Sequence, residues 1–249
     1  MAVYFLSDVH LGASYIGDSR AHEERVCSFL RSIEKDASEL YLLGDILDYW
    51  FEYRTAVPRG YIRFFGQLAR MADSGVRIVW FTGNHDIWMF DYLRNEIGIE
   101  VIDAPLDGVR RKIDGIDFYL AHGDTFGPQP RSYMFLRRLF RNRLCQRLYA
   151  AIHPRWSIAF AHGWSSHSRK GAGTLPQGAD EKAMKNAISY ALKTAQAEPQ
   201  LRYIIIGHLH SALFEPLPHT DCTFVVLGDW LKGGSYAVLD NGELQLRTF

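Results

Sequence analysis

Short apolar runs punctuate the chain at residues 3–6, 40–43, 77–82, 116–121 and 203–206, and each reads as a buried strand. Between the first two, Val26, Phe29, Leu30 and Ile33 fall at helical spacing. Pro58 opens a second amphipathic stretch through Ile62, Phe65, Leu68 and Ala72 that stops at Gly75. Strand, helix, strand, helix, strand predicts an α/β fold whose sheet is covered on its faces. After Gly98 the texture changes to short strands with turn dipeptides. Asp114-Gly115 is one, and Asn241-Gly242 joins residues 236–239 to 244–246, so a mixed sheet is expected.

Residues 127–178 interrupt this alternation and read as an insertion within a single domain spanning 1–249. Leu136, Phe140, Leu144, Leu148 and Ile152 form an apolar stripe among Arg137, Arg138, Arg141, Arg143 and Arg147. That pattern predicts a basic amphipathic helix. Whether its stripe packs on the body with the arginines solvated, or faces a lipid surface, is left open by the pattern alone.

Charge sharpens the contrast. The formal net charge is zero, yet residues 125–179 hold eight Arg and one Lys and no acid, leaving 19 basic and 28 acidic residues elsewhere. A basic insertion on an acidic body suits an anionic substrate or an anionic membrane face. A hydrophobic content of 47% with 22% charged residues is the balance of a globular chain, not a disordered one. Cys27, Cys145 and Cys222 are an odd number without a CxxC pair, which argues against a disulfide framework or zinc knuckle and for a reducing cytosol. No basic leader and no run of ~20 apolar residues is seen, so a soluble chain able to touch a membrane is expected.

Each apolar run ends in a cluster of polar chemistry: Asp8-Val9-His10, Gly44-Asp45, Gly83-Asn84-His85-Asp86, His122-Gly123-Asp124 and Gly207-His208-Leu209-His210. Side chains just beyond the ends of several strands converge at one sheet edge. Asp8 and His10, two apart on extended chain, point to the same side. The Asp45 carboxylate has two oxygens and can bridge two cations, and Asn84 offers a neutral amide oxygen. Asp86 is expected to orient His85 or a ligand. Carboxylate, amide and imidazole without thiolate suit Mn first, with Fe or Zn as alternatives. Two adjacent divalent metal ions clamp a phosphate and activate water for attack on phosphorus.

The order D-x-H, G-D, G-N-H-D, H, G-H-x-H resembles that of the calcineurin-like metallophosphoesterases, from Asp8 to His210. The resemblance implies a four-layer αββα sandwich with two mixed sheets between helices. It implies one metal held by Asp8, His10, Asp45 and His210, a second by Asp45, Asn84, His122 and His208, and His85 as a catalytic group beside the bridging Asp45.

Within that superfamily the runs at 5–11 and 42–50, and His122-Gly123-Asp124-Thr125 leading into a helical insertion, are similar to the UDP-2,3-diacylglucosamine pyrophosphatases of lipid A biosynthesis. By that likeness the insertion is a cap over an acyl-chain chamber. Tyr133, Ser166, Arg169 and Lys170, with Ser165 and Ser168, would lie near the nucleotide and sugar diphosphate, and the enzyme would sit peripherally on the cytoplasmic face of the inner membrane of a Gram-negative bacterium. Enterobacterial members carry Gly-Asn-Arg-Asp where this chain has His85, the general superfamily residue. A soluble nucleotide pyrophosphatase or phosphodiesterase therefore stays open, as does a non-catalytic scaffold that binds a membrane or partner. Nucleic acid is not an expected partner.

Overall fold

The computed structural model describes residues 1–157 and 179–249. Two mixed sheets lie face to face. The first has the order β11-β10-β1-β2-β3-β4, where β1 is Ala2–Leu6, β2 Ala37–Leu43, β3 Arg77–Phe81, β4 Glu100–Ile102, β10 Ser235–Asp240 and β11 Glu243–Thr248. The second has the order β5-β6-β7-β9-β8, with β5 Val109–Ile113, β6 Ile116–Leu120, β7 Tyr203–Ile206, β8 Leu213–Pro216 and β9 Thr223–Val226.

The period-two alternation of each strand explains the layering. Ala2, Tyr4 and Leu6 of β1 face outward into a core with α1 (Ser19–Ile33) and α2 (Ile62–Asp73), while Val3 and Phe5 face the second sheet. Phe118 and Leu120 of β6 and Ile205 of β7 meet them there. On the far side Tyr119, Ile204 and Ile206 pack on Ala187, Ala191 and Ala195 of α6 (Ala179–Ala197). Helix, sheet, sheet, helix is the expected four-layer order. Small alanines let α6 lie close to the second sheet.

All five strands expected to carry polar clusters are present, β1, β2 and β3 running parallel in one sheet and β6 and β7 parallel in the other. The clusters therefore meet at the shared edge of two sheets, not of one. The second helix departs from its predicted phase. Tyr61 at φ +59° breaks the chain after Pro58, so the helix begins at Ile62, which is exposed. Its buried face is Phe64, Leu68 and Met71, together with Gln67, which donates to Glu34.

The insertion differs more. Where one amphipathic helix is expected over 136–152, the described residues form two, α4 (Arg131–Arg141) and α5 (Arg143–Ala150), separated by extended Asn142. The Asn142 side chain accepts from the Leu144 and Cys145 N–H groups and so caps α5. That local bond ends the first helix where apolar periodicity predicts continuation. Ser165, Ser166, Ser168, Arg169 and Lys170 lie outside the described residues.

Candidate active site

Seven polar side chains from five loops converge at the shared sheet edge. Five of them sit at positive φ, Asp8, His10, Asp45, His208 and His210, between +52° and +68°. A non-glycine residue held there is strained by roughly 1–3 kcal/mol, and such strain gathers at functional sites. Sequence patterns carry no trace of it.

Each of two acids commits one oxygen to the fold and turns the other inward. Asp45 Oδ1 accepts the N–H groups of Asn84 and His85 at 2.9 and 2.8 Å. Its Oδ2 lies 3.5 Å from His122 Nε2, 3.9 Å from His10 Nε2 and 4.0 Å from His85 Nε2. Asp8 Oδ2 accepts from Ser7 and from the His208 N–H, while Oδ1 lies 3.6 Å from His210 Nε2 and 3.9 Å from His10 Nε2.

The imidazoles are aimed by their outer nitrogens. His122 Nδ1–H donates to the Leu43 carbonyl at 2.9 Å, leaving Nε2 toward Asp45 and 3.0 Å from Asn84 Oδ1. His10 Nδ1 lies 3.5 Å from Asp48 Oδ1, and His210 Nδ1 lies 3.6 Å from Asp229 Oδ2. Carboxylates behind imidazoles in this way orient metal ligands. Burial disfavours charge on His122, but the Asp45 carboxylate outweighs it and lifts this imidazole to about 10. Buried His208, facing that positive charge, is lowered to about 4.

The cluster fits divalent cations. Asp8 Oδ1 is buried and accepts no hydrogen bond among the described residues. Ligand atoms of Asp8, His10 and His210, and of Asp45, His122 and His208, lie within 4.8 Å of one another in each trio. A Cβ at Gly83 would overlap Asp45 Oδ1 and one at Gly207 would overlap Asp8 Oδ2, so backbone approaches both acids as only glycine allows.

Of the two expected roles of Asp86, it serves the candidate ligand Asp45 and not His85. It accepts from the Gly83, Asp45 and Ile46 N–H groups and the Trp80 indole, holding the two turns together. The residue behind His85 is Asp48, whose carbonyl accepts from His85 Nδ1 at 3.1 Å. Asp48 was legible only as one acid within an otherwise apolar run, Ile46 to Phe51; its burial identifies it. Glu52 was likewise missed: its carboxylate accepts from the Asp91 and Tyr92 N–H groups at the start of α3 (Tyr92–Ile97).

An apolar cavity of about 560 Å3 opens beside His85 and Asn84 and runs under α4 and α5, lined by Trp88, Leu136, Phe140, Leu148 and Tyr149. Tyr133 also lines it, with its hydroxyl donated to Asp124. Arg137 and Arg141, expected on a polar helix face, turn inward to Asp124 and Asp103. Phe135, Leu144 and Trp156 are the most exposed apolar side chains here, at 66%, 64% and 71%, with Leu148 at 63%.

Residues 1–212 match the family model described as calcineurin-like phosphoesterase. Among curated proteins, the chain is 39% identical to a UDP-2,3-diacylglucosamine hydrolase of Porphyromonas gingivalis, over 99% of this chain and 97% of the relative. It is 28% identical to the protein of that name from Ralstonia nicotianae, covering 97% and 90%, and 27% identical to that of Nitrosococcus oceani, covering 94% and 90%. A chain that matches the family model over this length, and that places the superfamily's acids, amide and imidazoles around one point, belongs to the calcineurin-like phosphoesterases.

Proposed function

We propose that this chain hydrolyses the diphosphate of UDP-2,3-diacylglucosamine to UMP and 2,3-diacylglucosamine 1-phosphate in lipid A biosynthesis, a reading supported by relatives named UDP-2,3-diacylglucosamine hydrolase. The observation that carries the lipid substrate is the cavity. Its aromatic and aliphatic walls begin at His85 and Asn84, so an acyl chain there would present its phosphate to the ligand cluster.

Asp8, His10, Asp45 and His210 would hold one cation and Asp45, Asn84, His122 and His208 the other, with Asp45 Oδ2 shared. Manganese is our first choice, because the ligands are oxygen and imidazole without thiolate. When bound, the pair supplies the Lewis acidity that neutralises phosphate charge and activates water at neutral pH. The protein's own contribution is positional. His85 donates through Nδ1 to the Asp48 carbonyl, so Nε2 faces the cluster; against the effect of burial, Asp45 and Asp48 favour its doubly protonated form, and that imidazolium would give its Nε2 proton to the leaving oxygen. Asn84 reaches both the cluster and the cavity, and so is placed to touch substrate. Tyr133 contributes cavity wall and holds Asp124; Ser166, Arg169 and Lys170 are our candidates for binding the sugar diphosphate.

We take residues 1–249 as one domain with 127–178 as its cap. No described helix is long and apolar enough to cross a membrane. Phe135, Leu144 and Trp156 beside Arg131, Arg138, Arg143 and Arg155 form the apolar and basic mixture that beds into an anionic interface. That surface supports our reading of peripheral attachment to the cytoplasmic face of the inner membrane.

The test is Mn-loaded protein with UDP-diacylglucosamine, soluble UDP-sugars and an aryl phosphodiester, with Asp45→Asn as control. UMP release confined to the lipid is the expected result. Equal turnover of soluble UDP-sugars would instead favour the nucleotide pyrophosphatase, and vesicle binding without hydrolysis a scaffold.

A further inference from the structure

The ligand cluster borders a second cleft, which the acyl cavity does not use. It encloses about 490 Å3 beyond His208 and His210 and is lined by Ala183 of α6 with Ser211, Ala212, Gly228, Lys232 and Ser235. That volume falls within the ~300–1,000 Å3 typical of small-molecule sites. Among the described residues, no aromatic ring but the two imidazoles lines it, and most of the wall is small or polar. The acyl cavity is its opposite in character.

The two clefts leave the cluster on different sides. His85 lines the first and His210 the second, and the His10 ring stands between them, 5.0 Å from His85 and 5.1 Å from His210. The reacting phosphorus is tetrahedral, so the group it keeps and the oxygen that leaves it point apart at a wide angle, with the entering oxygen opposite the leaving one. The two halves of a diphosphate therefore diverge from the reacting phosphorus. With the acylated half on the His85 side, the other half runs toward His210.

The second cleft presents an uncommitted positive charge. Lys232 is exposed and forms no ion pair among the described residues. The one acid in the wall, Asp229, is occupied by His210 Nδ1 and by the Lys232 N–H at 2.9 Å. The turn carrying Lys232 is firmly anchored: Trp230 is buried with its N–H on the Asp8 carbonyl, and Arg25 donates to the carbonyls of Gly233 and Phe249. With the backbone already fixed, only the rotamers of the Lys232 side chain have to order when its ammonium meets an anion.

We propose that this cleft seats the nucleoside monophosphate half of the substrate, with the Lys232 ammonium pairing with the phosphate next to the nucleoside. The inference rests on the diphosphate hydrolysis proposed above and assigns its second arm.

The experiment measures UMP and 2,3-diacylglucosamine 1-phosphate binding to the Mn-loaded full chain, with wild-type turnover of UDP-diacylglucosamine followed in parallel. Lys232→Met removes the charge, and Ala183→Trp fills the cleft from an exposed helix position where folding is little affected. Losing one charge-assisted hydrogen bond should weaken UMP roughly tenfold in Lys232→Met. Ala183→Trp should weaken it at least as much, and both should leave the acylated product within about twofold. Unchanged UMP binding in both variants, an equal loss for both products, or no UMP binding to wild type overturns the assignment. If wild type turns over the lipid normally in those cases, the hydrolysis stands and only the subsite falls; absence of lipid turnover removes both.

Discussion

Arg137 Nε of α4 lies 3.1 Å from Asp124 Oδ2, and both side chains are almost wholly shielded from water, at 9% and 2% exposure. The same carboxylate accepts from the Tyr133 hydroxyl at 2.7 Å, and Arg137 also donates to the Ala104 carbonyl. Asp124 follows His122 by two residues, so one acid joins the cap to the loop that delivers a candidate ligand. Asp124→Ala leaves a buried guanidinium without its carboxylate, a loss of about 3–5 kcal/mol. We expect α4 to undock, read as faster proteolysis within 131–150, and Asp124→Ala with Arg137→Met to recover much of the protection.

Asp48 sits behind two imidazoles, 3.5 Å from His10 Nδ1 and 3.5 Å from His85 Nδ1. Removing a group that orients ligands typically costs ~10–100-fold in metal affinity or activity. Asp48→Ala should lose turnover of an aryl phosphodiester in that range while retaining its circular dichroism spectrum. Full activity at limiting Mn would contradict the role.

The glycine at position 83 gives an independent check on the cluster. Gly83→Ala places a methyl on Asp45 Oδ1, which must swing away from His122. Metal content per chain, measured by elemental analysis after dialysis, should fall below that of wild type. Gly66→Ala, where an added methyl meets open space, should keep the wild-type content.

Exposed apolar residues on the cap test the membrane contact separately from the chemistry. Burying one such side chain is worth ~1.5–3 kcal/mol, so Phe135→Ser with Leu144→Ser should weaken binding to vesicles rich in anionic lipid by more than tenfold. Neither side chain lines the acyl cavity, so hydrolysis of a soluble aryl diester should be unaffected.

Acid sensitivity has an identifiable source away from the site. The Arg110 guanidinium bonds both oxygens of Glu198 and holds that carboxyl below its usual value, tying the C-terminal end of α6 to β5. A depressed folded value means that the pair stabilises the fold above the unfolded glutamate pKa of ~4.3 and that this is lost as pH falls through the folded value. Urea midpoints of wild type and Glu198→Gln should therefore differ near neutrality, by no more than about 1 kcal/mol for a partly exposed pair, and converge below about pH 4.

The order of acids, amide and histidines behind apolar runs was readable from the primary structure, and with it the strands, the α1 face and which polar side chains gather at the sheet edge. Those signals are local: period two in strands, period 3.6 in helices, and a polar cluster where each strand must end. What only the folded chain decided are relations between residues remote in sequence. Two sheets meet at the ligand edge, Asp86 clasps the turns at 45 and 83, and Asp48 backs His10 and His85. The cap shows the limit most clearly. Its arginines and leucines have the spacing of one amphipathic helix, but Asn142 divides it and Asp124 and Asp103 draw Arg137 and Arg141 inward. Periodicity records which residues share a face; it does not record which carboxylates the rest of the fold will place against that face.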